Sequence, residues 1–241
     1  MRTSTSAVAL ARRVFPALGL LLAAAGAPTA LGVNLLTDPG FEVNAVTTAA
    51  NSLNNFPGFQ GVWGQENSTI VGVVGAVSPF AGQKQLQMDF TGGVTTQAFQ
   101  TIDVTSYAAL IDANNASLNA SAYFNADLPA AFGGVYISYF TGNTYGTNFG
   151  PLDVSGFTLD GSAATWQQAS LTVPVPAGTR WILFQVAYAE ATLFNSAGTV
   201  GSGYVDNAFA EIRGVPAPSA GVLLALGAAV GVRRRRPGAS R

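Results

Sequence analysis

The 241-residue sequence has no cysteine and no histidine, and only about a tenth of its residues are charged. Without cysteine there are no disulfides and no thiolate chemistry. Without histidine there is no His-based zinc site and no Ser-His-Asp triad. The lack of cysteine does not argue against export, because a domain of this size buries enough core to fold without staples. Positive charge is equally scarce where it would matter. Between residues 33 and 214 only Lys84, Arg180 and Arg213 are basic, while all twelve acids lie there, so three cations against twelve acids leave a net charge of −9. Such a surface repels phosphate backbones, which excludes nucleic acid as a partner and leaves cations and neutral glycans open. Long helical patterns and the Glu/Lys pairs of surface helices are missing too. No Gly-rich phosphate loop, nucleophile elbow or cofactor fingerprint is present.

What is present begins with two unusual ends. Met1–Arg13 holds three arginines and no acid, Val14–Ala25 is apolar, and Ala30-Leu31-Gly32 supplies the small residues of a cleavage site. That order predicts a secretory signal peptide over residues 1–32 and use of Sec-type export machinery. At the other end, Pro216-Ala217-Pro218 precedes thirteen uncharged residues, Ala220–Val232, and then Arg233, Arg234, Arg235 and Arg236. As a helix the uncharged run spans about 20 Å against a hydrocarbon core of about 30 Å. It predicts transient membrane contact, with the arginines on the cytoplasmic side. A permanent C-terminal anchor is the alternative reading.

The intervening residues, 33–214, fit one domain of about 182 residues, enough to bury about 70% of the unfolded surface. Short β-like runs separated by turn residues predict strands near 34–36, 68–74, 84–90, 96–104, 116–125, 135–140, 168–173, 181–188 and 204–212. Turn signals stand at Asp38-Pro39-Gly40, Ser78-Pro79, Gly92-Gly93, Gly133-Gly134, Asp160-Gly161 and Pro176-Ala177-Gly178. In SLNASAYFN, Leu118, Ala120, Ala122 and Phe124 share one face, and Asn119, Ser121, Tyr123 and Asn125 the other. In WILFQVAY, Ile182, Phe184, Val186 and Tyr188 align the same way. Period-two patterning in this many short strands predicts an all-β, antiparallel β-sandwich. Ser106–Asp112 reads as a short helical turn or a loop crossing the sandwich edge.

Two resemblances sharpen this. The Pro motif, short apolar stretch and terminal Arg cluster over residues 215–241 resemble the PEP-CTERM sorting signal, with Ala217 where that family has Glu. The resemblance implies an exosortase-like membrane protease as partner, exopolysaccharide association, and a location at the cell surface, outer envelope or extracellular matrix of a Gram-negative-type bacterium. Within the domain, VNLLTDPGFE at its start and Tyr204-Val205-Asp206-Asn207 at its end resemble carbohydrate-binding-module-like and galactose-binding-like jelly-roll domains. Trp166, the 171–173 strand and Pro176-Ala177-Gly178-Thr179 fit the same pattern. That resemblance implies a jelly roll in which Glu42 and Asp206 meet where first and last strands meet and hold a structural Ca²⁺, an ion that takes six to eight oxygens. The residues themselves also permit Glu42 to cap backbone amides and Asp206 to make a turn hydrogen bond. On local grounds, Gly40 is expected to take positive φ and Phe41 to plug the core.

A glycan site needs aromatic faces beside amides and hydroxyls. Trp63 in FPGFQGVWGQ, Tyr123 with Asn125 on a polar strand face, and Tyr136 beside Ser138 are the candidates; Trp166 and Trp181 read as sandwich packing. Core packing is the competing reading for each aromatic. The expectation is a non-enzymatic, surface-displayed protein that binds polysaccharide. A structural matrix or adhesion protein without sugar binding is the alternative, and a glycoside hydrolase using acids such as Glu66 or Glu190 the remote one.

Overall fold

The computed structural model describes residues 32–43, 47–48, 53–88, 96–127, 131–189 and 202–215. The expected signal peptide, the Pro216-Ala217-Pro218 motif and Arg233–Arg236 lie outside the described residues, as do Gly92-Gly93 and Glu190. The described chain forms two stacked sheets. One has six strands in the order β1(Thr47–Thr48), β2(Gly64–Glu66), β5(Thr96–Asp103), β10(Trp181–Ala189), β7(Phe132–Phe140), β8(Asn148–Thr158). The other has five, in the order β3(Ser68–Val71), β4(Gln85–Met88), β11(Gly203–Gly214), β6(Ala116–Ala126), β9(Gln167–Pro174). Every strand pairing is antiparallel except the two-residue β1–β2 contact.

The alternation in the sequence decides which face is buried. Leu118, Ala120, Ala122 and Phe124 of β6 face Ile182, Phe184, Val186 and Tyr188 of β10 across one hydrophobic core. Burying each large apolar side chain contributes about 1.5–3 kcal/mol, so the two inner faces hold the sheets together. Phe41 is fully buried in that core, as expected. The second face of β10 is apolar as well. Trp181 and Leu183 join Phe99, Phe140, Phe56 and Phe59 in a smaller cluster, because the 3₁₀ segment Leu53–Phe59 lies over the outer face of the six-stranded sheet. The 105–112 region is a 3₁₀ turn running into a five-residue helix, Ala108–Asp112.

Several expectations need correction. Gly133-Gly134 is not a turn but the interior of β7. A Cβ on Gly133 would lie 2.8 Å from the Phe124 ring, so glycine is there to admit that ring. β8 was not foreseen, since Gly150-Pro151 and Gly156 break its apolar pattern; as an edge strand it tolerates both. The strand expected over 68–74 stops at Val71, and Val74 and Val77 close their own small turn. Gly40 does not take positive φ; Asp38 (+47°) and Phe41 (+57°) do. The strand expected over 34–36 does not form as one; the segment runs beside the second half of β11. Leu35 N–H donates to Ala210 O at 2.7 Å, and the Asn34 amide bridges Ala208 O and the Ala210 N–H.

Candidate functional site

The Asp38-Pro39-Gly40 turn and β11 meet as the first and last parts of the domain, with the Ala208 N–H donating to Pro39 O at 2.8 Å. The turn is set by its own side chain: Asp38 Oδ1 accepts the Glu42 N–H at 2.7 Å. Glu42 is thereby aimed at the loop 78–84, where its Oε1 accepts the N–H groups of Gln83 (2.8 Å) and Lys84 (3.0 Å). Asp206, fully buried beside a β11 bulge, reaches the same loop. Its Oδ2 accepts the Ala81 N–H at 3.0 Å and its Oδ1 the Asn207 N–H at 2.6 Å. Gly82 has φ +67°, and a Cβ there would fall 2.0 Å from Glu42 Oε1, so a side chain would be strained there and would displace the carboxylate. The sequence thus named two residues that do converge, and the structure gives each a role as acceptor of loop amides.

Burial pushes the Asp206 carboxyl up to about 6. The N–H groups of Ala81, Asn207 and Phe80 pull it down, and the nearby Glu42 charge pushes it further up. Two carboxylates held close, one of them buried, form an all-oxygen donor pair of the kind a hard cation takes. Among the described residues no third Asp or Glu joins them, so any further ligands would be neutral oxygens.

The loop held this way carries Phe80. Its ring stacks on Tyr123 of β6, with centroids 3.8 Å apart and planes 16° from parallel, while Phe80 stays 40% exposed. Trp166 stands nearly perpendicular to Phe80 at 6.0 Å and donates from Nε1 to Ser78 O at 3.0 Å. Two carboxylates therefore hold one side of the loop and an indole the other. Trp166 is itself placed by a turn that Asp160 organises, accepting the Ser162 N–H and the Thr165 hydroxyl. The outcome is an aromatic corner on the outer face of the five-stranded sheet, with Gln168 opposite Tyr123 in register.

The remaining candidates fall elsewhere. Trp63 is 1% exposed; its ring packs on Phe41 and Phe184, and its Nε1 donates to Asp38 O. It supports the Asp38 turn and has no face for a ligand. Asn125 is buried too, and its Nδ2 supports the 160–166 loop from below through Ala163 O. Tyr136 lies on the outer face of the six-stranded sheet, half-buried beside Gln185, whose amide donates to Gln97 Oε1. Burial raises its phenol pKa, which keeps it a neutral donor. Tyr123 and Tyr136 are thus on opposite outer faces. Neither Trp166 nor Trp181 packs between the sheets as expected: Trp166 is half-exposed in the corner, and Trp181 is buried on the outer face of the six-stranded sheet beneath Phe56. Phe80 was missed because a lone Phe after Ser78-Pro79 reads as an incidental loop residue.

No family model matches the chain, and no curated protein matches it by sequence. Among solved structures, it is similar to TmCBM61 in complex with β-1,4-galactotriose, at 11% identity and TM-score 0.50, covering 75% of this chain and 99% of that one. It is also similar to a putative sugar binding protein from Bacteroides thetaiotaomicron, at 12% identity and TM-score 0.51, covering 75% and 100%. The chain therefore carries a carbohydrate-binding-module-like jelly-roll sandwich.

Proposed function

We propose that this chain is a non-enzymatic glycan-binding protein, and that the corner of Phe80, Tyr123 and Trp166 holds the sugar. The carrying observation is the Phe80 ring, stacked on Tyr123 and still exposed on a loop held at both sides. Aromatic faces accept the C–H face of a pyranose, and a preordered ring loses little freedom on binding. The net charge of −9 between residues 33 and 214 favours neutral over acidic glycans. The sandwich fold shared with sugar-binding structures supports the same reading without deciding the ligand. The reading extends to a Ca²⁺ held by Glu42 and Asp206. There the ion would relieve the repulsion between the two carboxylates and stiffen the loop that carries Phe80. It extends also to export through the N-terminal segment, processing of the C-terminal segment by an exosortase-like protease, and display at the cell surface or in an exopolysaccharide matrix.

The test is retention on a panel of neutral polysaccharides in affinity electrophoresis. Wild type should be retarded by at least one member, and Phe80→Ala should lose that retardation while keeping its melting temperature. Retardation unchanged in Phe80→Ala would refute the corner.

A further inference from the structure

The outer face of the five-stranded sheet does not end at the aromatic corner. Along β6 and β9 the paired residues after Tyr123–Gln168 are Ser121–Ser170, Asn119–Thr172 and Ser117–Pro174. On β11 the same rows carry Phe209 opposite Ser121, Glu211 opposite Asn119 and Arg213 opposite Ser117. Phe209 is half-exposed and lies outside the hydrophobic core, which takes Val205, Ala208, Ala210 and Ile212 from β11. It therefore offers a second aromatic surface one row from Tyr123, about 7 Å along the strands. Beyond it the side chains are tied in a line: Thr172 Oγ1 donates to Asn119 Oδ1 at 2.8 Å, Asn119 Nδ2 to Glu211 Oε1 at 2.8 Å, and Arg213 pairs with Glu211. β9 is an edge strand, so one side of this face is open, and Ser170 and Thr172 are exposed there.

We infer that the bound glycan is an extended neutral chain, seated on Phe80–Tyr123–Trp166 at one end and running along β6 and β9 over Phe209 towards Arg213. This rests on the glycan-binding reading of the corner and adds the class of ligand. From Tyr123 to Ser117 the face is about 20 Å long, longer than one sugar ring can occupy. Its lining is serine, threonine, asparagine and glutamine with one ring in the Ser121 row, and the one cation, Arg213, is paired with the buried Glu211. Hydroxyls and amides in a row match sugar hydroxyls. A protein partner would call for a wider apolar centre, and an anionic chain is repelled by the domain's charge.

Isothermal titration calorimetry with β-1,4-linked galactose, glucose, mannose and xylose oligomers, dimer to hexamer, tests it. Affinity should rise with length in at least one series. Phe209→Leu, which keeps apolar volume but removes the ring, and Ser170→Leu, which obstructs the open side, should each reduce hexamer affinity about tenfold and leave the dimer unchanged. Phe80→Ala should reduce both. Equal affinity for dimer and hexamer, with Phe209→Leu and Ser170→Leu without effect, would overturn the extended track and leave the corner standing. Failure of every oligomer and of the parent polysaccharides to bind would overturn the corner and the track together.

Discussion

At the scale of single residues, Asp206 is a fully buried acid whose protonation is coupled to the fold. Its carboxyl is pushed up to about 6 by burial, whereas the unfolded value is near 3.9. An acid with a raised folded value binds its proton more tightly in the fold. The stabilisation it gives is present below about pH 4 and is lost as pH rises through about 6, by up to about 3 kcal/mol. In chelator, melting temperature should therefore fall from pH 4 to pH 7 through this group, and Asp206→Asn should flatten the slope. Added Ca²⁺ at pH 7 should restore the lost stability if the pair binds it; a melting temperature indifferent to both Ca²⁺ and chelator would remove the cation from the account. Trp63 tests the opposite end of the burial scale. Its indole fills the space between Phe41 and Phe184, so Trp63→Ala should cost about 3–5 kcal/mol in urea denaturation, with glycan affinity following only the loss of fold. The sequence pattern assigns Trp63 to the surface and Trp166 to packing, and the structure reverses them. Both are tryptophans in turn-rich stretches, and what buries one and exposes the other is contact with Phe41 and Phe80, far away in sequence.

At the scale of elements, the loop 78–84 is the piece on which function turns. Four backbone N–H groups of the loop, those of Phe80, Ala81, Gln83 and Lys84, end on two carboxylates supplied by the first turn and the last strand. Glu42→Ala leaves the Gln83 and Lys84 amides to water, so they should exchange hydrogen faster by about tenfold or more, and glycan affinity should fall several-fold while the sheets stay protected. Hydrogen exchange followed by mass spectrometry reads this directly. The strands show why the fold was more legible than the site. β6 alternates along most of its length and β10 is a nearly unbroken apolar run, and both patterns are local. β8 hides behind Gly150, Pro151 and Gly156 because an edge strand need not alternate cleanly or donate on its free side. The convergence of Glu42 and Asp206 was legible through the motifs that carry them, whereas Phe80 has no motif and gains its place only when those two carboxylates fold its loop back.

At the scale of the whole molecule, charge and layering set what can approach. The paucity of cations and the net charge of −9 between residues 33 and 214 predict glycan binding that changes little with ionic strength, since no counterions are released when a neutral chain docks. The two outer faces differ: Phe56 and Phe59 cover part of the six-stranded one, while the β6–β9 rows of the five-stranded one are open and polar beside an aromatic corner. The decisive measurement is the affinity of the purified protein for neutral polysaccharides, compared between wild type and Phe80→Ala at matched melting temperature. Wild type should bind, and the variant should lose that binding or weaken it about tenfold or more. Binding that survives Phe80→Ala unchanged, or no binding by wild type to any neutral polysaccharide, would contradict a glycan site at the Phe80 corner.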